Sequence, residues 1–351
     1  MRLSSLFRTA LVVGGLTAAL FATGALAEVR LMGSGASFPA PLYARWFKDF
    51  SQANKGMRVD YQSKGSGAGI QDFINQVVDF AGSDAAMSDA EIGQVKDGVV
   101  LLPVTAGEIV LTYNLSGVET LRLPRAVYPA IFAGEITRWN DPRISAANPD
   151  VDLPDQDIRV VVRSDSSGTT YVFTGHLAAI SESFQASVGH DKSPQWPRSA
   201  TFVRAPKNDG VTATVRQTPG AIGYVEYGFA KLTNSPSALL ENQAGNFVAG
   251  GAETGAAALA SAEFPGGNLP GSEVPDLRAW ITDPTGDQAY PIVSFTWLLF
   301  PETQDAAKAG VARDLVEYIL TEGQQSADPM GYIPLPENVV ETVRKVAQLI
   351  Q

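Results

Sequence analysis

Ile158-Arg-Val-Val-Val-Arg-Ser-Asp-Ser-Ser-Gly-Thr-Thr-Tyr-Val-Phe-Thr174 opens as an apolar run, breaks into small hydroxyl residues and glycine, and closes on aromatic and β-branched residues. The pattern predicts a strand, a tight loop and a helix start. At such a junction backbone N–H groups and hydroxyls face whatever lies beyond the strand end, and Arg163 stands on one flank. That chemistry suits an anion with several oxygens. Two earlier segments share the build: Gly33-Ser-Gly-Ala-Ser-Phe-Pro-Ala-Pro41 and Lys64-Gly-Ser-Gly-Ala-Gly69.

The chain around these loops alternates strand and helix patterns. Val29 to Met32 reads as a strand, and Leu42, Tyr43, Trp46, Phe47 and Phe50 fall on one helical face. Met57, Val59 and Tyr61 alternate as a strand, Ile70, Phe73, Ile74, Val77 and Val78 mark a helix, and Val78-Asp-Phe-Ala leads to Ser83-Asp84. Glu108 to Tyr113 and Tyr290 to Phe300 read as buried strands, and late helices begin near Val311 and Val339. The Gly- and Ala-rich stretch 244–271 reads as loop plus a weak helix. This order predicts an α/β fold on a mostly parallel sheet, with ligand beyond the carboxyl ends of the strands.

Residues 1–27 read as a cleaved secretory signal, with Arg2 and Arg8, an apolar middle and Ala25-Leu-Ala27 as the cleavage site. The chain contains no cysteine, so disulfides, thiolate metal sites and a lipid-anchor thiol are excluded. The expectation is a soluble periplasmic protein. About 324 residues remain, which predicts two domains. The 26 basic residues of the chain fall to 24 against 37 acidic ones, a mature balance of −13. Such acidity argues against nucleic acid and anionic membranes as partners. An anion would have to be held by local buried dipoles.

Pro39 and Pro41 have no N–H, so the free donors of the first loop concentrate at Ser37 and Phe38. Ser66 reads as a helix cap, with Gly65 and Gly67 letting a ligand approach the backbone. Neither glycine pair completes a dinucleotide fingerprint, and no P-loop occurs. Asp84, at a strand end, seems misplaced beside an anion only until protons are counted. Phosphate keeps a proton near neutral pH and can donate it to a carboxylate; sulfate keeps none and meets only repulsion. Arg163 offers a planar fork, Asp165 or Asp84 can steady it, and Ser167, Gly168 and Thr169 supply further donors. Taken singly, each segment fits an ordinary cap or turn; three alike do not.

Gly35-Ala-Ser-Phe-Pro-Ala-Pro41, Val78-Asp-Phe-Ala-Gly-Ser-Asp84 and Arg163-Ser-Asp-Ser-Ser-Gly-Thr169 resemble the PstS-type phosphate-binding proteins of ABC transporters. So do Ile131-Phe-Ala-Gly-Glu-Ile-Thr-Arg-Trp-Asn140, Pro219-Gly-Ala-Ile-Gly-Tyr-Val-Glu-Tyr227 and Tyr332-Ile-Pro-Leu-Pro336. The resemblance implies a two-lobed periplasmic-binding-protein fold (type II-like) with two chain crossovers and inorganic phosphate in the interdomain cleft. The implied lobes are 28–108 plus 290–351, and 109–289. The implied ligand residues are Ser37, Phe38 (through its N–H), Ser66, Asp84, Arg163, Ser167, Gly168 and Thr169, with Asp165 behind Arg163. Ser37 stands where some relatives carry threonine, and the hydroxyl is retained. The implied partners are the membrane permease subunits of the transporter; no metal or cofactor is implied, and the protein is expected to be a monomer. Arsenate, protonated like phosphate, remains an alternative ligand. An exported phosphatase would need a base, and the two histidines, His176 and His190, form no metal cluster; His176, on a helix pattern among apolar residues, reads as a core or surface residue.

Overall fold

The computed structural model describes residues 28–351; the expected signal segment lies outside the described residues. Eleven strands are described, β1 (Val29–Gly35), β2 (Met57–Ser63), β3 (Phe80–Ser83), β4 (Val100–Tyr113), β5 (Arg122–Leu123), β6 (Arg159–Arg163), β7 (Phe202–Ala205), β8 (Ala221–Glu226), β9 (Leu239–Glu241), β10 (Phe247–Val248) and β11 (Val293–Phe300). Eight of them form one sheet in the order β2-β1-β3-β11-β4-β8-β6-β7, and β10-β9-β5 form a small second sheet.

The expectation of a mostly parallel sheet holds at its two wings and fails in the middle. β2-β1-β3 pair in parallel, as do β8-β6-β7. Between them β4 and β11 run antiparallel to each other and to their outer neighbours β8 and β3. The reason lies in connectivity: β4 carries the chain from the first wing to the second, and β11 carries it back. β4 pairs with β11 over Val100–Glu108 and with β8 over Ile109–Tyr113. It is longer than the predicted Glu108–Tyr113 strand because Pro103 sits at a register shift, where Trp297 faces Pro103 and Thr296 faces Thr105. A bulge is where a sheet tolerates a proline.

The helix Ala40–Ala53 buries the five residues assigned to its inner face, Leu42, Tyr43, Trp46, Phe47 and Phe50. Burying each such side chain is worth roughly 1.5–3 kcal/mol before entropy is counted. Trp46 also donates its indole N–H to the Gly323 carbonyl at 2.7 Å, tying this helix to the C-terminal part of the chain. The next helix ends at Ile74, earlier than predicted. Gln76 turns left-handed (φ +56°), and Val77 is left 58% exposed. Gly35 holds the ends of the first wing together: at φ +141°, a Cβ there would sit 2.1 Å from the Gly82 carbonyl. Backbone contact of that kind brings the ends of β1 and β3 close enough to share one site.

Candidate functional site

Strand ends from both wings converge. β1 delivers Ser37 and Phe38, β2 delivers Ser66, β3 delivers Asp84, and β6 delivers Arg163 and the segment 167–169. All of these residues are buried, and the Arg163 side chain is only 1% exposed.

Each predicted residue finds a defined place. The Ser37 hydroxyl caps no helix; its oxygen accepts the N–H of Asn208 (3.1 Å) and the side-chain Nδ2 of the same residue (3.0 Å). Phe38 buries its ring, and its carbonyl accepts the Tyr332 hydroxyl at 2.8 Å. Ser66 is also not the cap it was expected to be. Gly65 takes the cap position at φ +101°, a conformation a serine would resist, so Ser66 becomes the first helical residue. Its hydroxyl oxygen accepts the Asp84 N–H at 3.2 Å and lies 3.4 Å from the Asp84 carboxylate.

Asp84 accepts the Thr296 hydroxyl at 3.0 Å through Oδ1, and Oδ2 faces the Ser66 and Thr169 hydroxyls at 3.4 and 3.5 Å. Burial pushes its carboxyl up to about 7; the Thr296 hydrogen bond and the charge of Arg163 oppose that rise without cancelling it. Arg163 is held by Asp165, the first of the two candidates for that task. Nε donates at 2.8 Å and Nη2 closes the second arm of the fork. Asp165 also accepts the Lys207 N–H at 2.9 Å. Burial works against ionisation of Asp165, but the Arg163 fork outweighs it and holds this carboxyl below its ordinary value. The other end of the guanidinium, Nη1, points to the Thr169 hydroxyl at 3.3 Å.

In the third loop Ser167 caps the helix Gly168–Ile180, its oxygen accepting the Thr170 N–H at 3.0 Å. Its own N–H donates to the Lys192 carbonyl, so of the three backbone donors expected here two remain, on Gly168 and Thr169. Gly168 is a point of close approach between the wings. A Cβ there would meet Ser66 Oγ at 2.4 Å, Asp84 Oδ2 at 2.8 Å and the Ala85 nitrogen at 2.9 Å. Around one carboxylate and one guanidinium, then, stand hydroxyl and N–H donors from both wings. Such a set can wrap a small tetrahedral anion and accept one hydrogen bond from it.

Two contributors were missed. Asn208 donates through Nδ2 to both Ser37 Oγ and Thr169 Oγ1, at 3.0 Å each, and its Oδ1 accepts the Glu226 N–H at 2.9 Å. It follows β7 at the start of the helix Lys207–Gln217. This is a further strand-to-helix junction, and the rule that found the others would have found it. Thr296 lies inside an apolar strand and gave no signal. Of the two roles expected for His176, core or surface, it takes the core one: the Thr282 carbonyl at 2.8 Å requires a proton on Nδ1, leaving Nε2 to accept from Tyr128 at 2.9 Å. Burial lowers its pKa to about 4. Among the described residues no cluster of His, Asp or Glu suited to a metal ion occurs.

Comparison with known proteins places the fold in a family. Residues 22–322 match the family model described as a PBP superfamily domain. The phosphate-binding protein PstS of Xylella fastidiosa is 37% identical over 319 residues, covering 90% of this chain and 84% of that protein. PstS of Methanocaldococcus jannaschii is 34% identical over 333 residues, covering 91% and 85%. Among solved structures, a high-affinity periplasmic phosphate-binding protein (PfluDING) bound with phosphate superposes with a TM-score of 0.72 at 25% identity, covering 90% of this chain and 93% of its own. An α/β architecture with two parallel wings joined by β4 and β11, matched along nearly its whole length by these proteins, assigns the chain to the PstS family of phosphate-binding proteins within the two-lobed PBP superfamily.

Proposed function

We infer that this protein captures inorganic phosphate between its lobes and delivers it to an ABC-type importer. The observation that carries the reading is Asp84, a buried carboxylate set among donors that would otherwise suit any oxyanion. The ligand set is Ser37, Phe38, Ser66, Asp84, Arg163, Ser167, Gly168 and Thr169. Arg163 and the N–H groups of Phe38, Gly168 and Thr169 face the unprotonated oxygens, and Asp84 accepts a hydrogen bond from the ligand's remaining P–OH. The lobes are 28–108 plus 290–351, and 109–289, a division supported by β4 changing partner from β11 to β8 between Glu108 and Ile109. The protein acts in the periplasm as a monomer, performs no chemistry, and docks on the permease subunits of its transporter. In the described residues no helix is long and apolar enough to cross a membrane.

Isothermal titration at pH 8 tests the reading. Phosphate should bind one-to-one, and sulfate at the same concentration should give no binding heat. Equal binding of the two ions, or of neither, would overturn it.

A further inference from the structure

We propose that Asn208 is a positioning residue for the bound anion, its side-chain amide compelling the Ser37 and Thr169 hydroxyls to act as donors. This rests on the phosphate reading above and adds a component to it. A hydroxyl has one proton and two lone pairs. On Ser37 both lone pairs are spent within the protein, on the Asn208 N–H at 3.1 Å and on Nδ2 at 3.0 Å. On Thr169 both are spent as well, on Asn208 Nδ2 at 3.0 Å and Arg163 Nη1 at 3.3 Å. Each hydroxyl can therefore only give its proton away; that of Thr169 goes to Asp84 Oδ2 at 3.5 Å, a contact long enough for an anion oxygen to replace it.

The amide cannot be turned round to relax this. Oδ1 holds the Glu226 N–H at 2.9 Å, so a flip would set two donors against each other there and leave Ser37 and Thr169 facing an acceptor. Asn208 is buried, and its position is fixed through the backbone. Lys207, at φ +58°, gives its N–H to Asp165, the residue that grips Arg163. One chain of bonds thus runs from the Arg163 guanidinium through Asp165 and Lys207 to the amide that sets two hydroxyls, one from each wing of the sheet.

The consequence concerns which protonation state of the ligand is favoured. With Ser37 and Thr169 barred from accepting, the doubly charged ion with one proton suits the site. The singly charged ion carries a second proton and is deprived of two acceptors it would otherwise find. Removing the amide returns both hydroxyls to free rotation. Affinity for the doubly charged ion should fall, while the singly charged ion regains acceptors. Asp84, Asp165, Glu226 and Arg163 are the ionisable groups around Asn208 and its partners, and all of them remain in the variants.

Inorganic phosphate titrated calorimetrically into wild type, Asn208→Ala and Asn208→Leu, at pH 8.5 and pH 5.5, tests this. The variants should bind about 10- to 100-fold more weakly than wild type at pH 8.5, with a smaller deficit at pH 5.5. Unchanged affinity, or a deficit equal at both pH values, as a purely structural role would give, overturns the proposal and leaves the phosphate reading intact. A wild type that binds no phosphate overturns both. Neutron diffraction from phosphate-loaded wild type needs no variant to fold. The deuterons of Ser37 Oγ and Thr169 Oγ1 should lie on phosphate oxygens, and either one directed at Asn208 overturns the proposal.

Discussion

Asp84, just beyond β3 in the first wing, and Glu108, on the central strand β4, are both buried carboxylates, and burial raises both, to about 7 and about 8. Their surroundings differ. Glu108 has an internal donor for each oxygen, the Gly251 N–H on Oε2 and the Thr254 hydroxyl on Oε1 at 2.9 Å, and so closes the start of the helix Ala252–Leu259. Asp84 has one close donor, Thr296, while its second oxygen is met only at long range, by the Ser66 and Thr169 hydroxyls at 3.4 and 3.5 Å. Desolvation is common to both positions. What marks a binding site is the donor and acceptor capacity left unspent around the buried charge.

The largest effect expected from breaking this contrast is on selectivity. Asp84→Asn replaces the acceptor with an amide that can donate to an unprotonated oxygen. The ratio of sulfate to phosphate dissociation constants should collapse by up to the order of 10⁴-fold, the scale set by an unmatched hydrogen-bonding group. Competition calorimetry reads it, and a variant that still rejects sulfate as wild type does refutes the role given to Asp84. Next in size is Arg163→Met. It strips the site of its buried cation and leaves Asp165 without its fork, at a cost of about 2–5 kcal/mol in phosphate binding free energy. Undiminished affinity in that variant would show that N–H and hydroxyl donors suffice alone.

The smallest effect belongs to Glu108 and concerns stability. A carboxyl raised on folding keeps its proton in the native state while the unfolded chain ionises. Its contribution is therefore complete below about 4.3, declines as pH rises, and is lost once pH passes its native value of about 8. The melting temperature of wild type should fall between pH 5 and pH 8. Glu108→Gln keeps an acceptor for Gly251 and can donate to Thr254, so it should flatten that fall by roughly 2–4 °C. Buried Glu226, whose carboxyl is likewise raised by burial, and Asp84 would supply the slope that remains. A calorimetric scan series in which the variant tracks wild type at every pH would remove Glu108 from the account.

Most of the site could be read from the chain because its residues lie in short runs of Ser, Thr and Gly at strand ends, where few structural demands compete for them. Asp84 and Arg163 stood at the ends of apolar runs and were placed correctly. What escaped were groups whose role depends on contacts distant in sequence. Asn208 meets Ser37 across 171 positions, and Thr296 meets Asp84 across 212. Ser37 and Ser66 looked like caps because their local sequence favours capping. The left-handed Gly65 and the long-range amide of Asn208 decided otherwise. The antiparallel centre was hidden for a related reason: Pro103 interrupts the pattern of β4, and only its bulged register opposite β11 explains how the strand continues through it.

The concealment of Arg163 also sets the size of what this protein can collect. The whole chain carries a formal net charge of −11, and behind that acidic balance the Arg163 guanidinium is only 1% exposed. At the same place the two wings close tightly: a methyl group on Gly168 would meet Ser66 Oγ, Asp84 Oδ2 and the Ala85 nitrogen at 2.4–2.9 Å. The same burial that raises the Asp84 carboxyl should therefore act as a sieve, and a phosphate monoester should fail to displace inorganic phosphate in competition calorimetry.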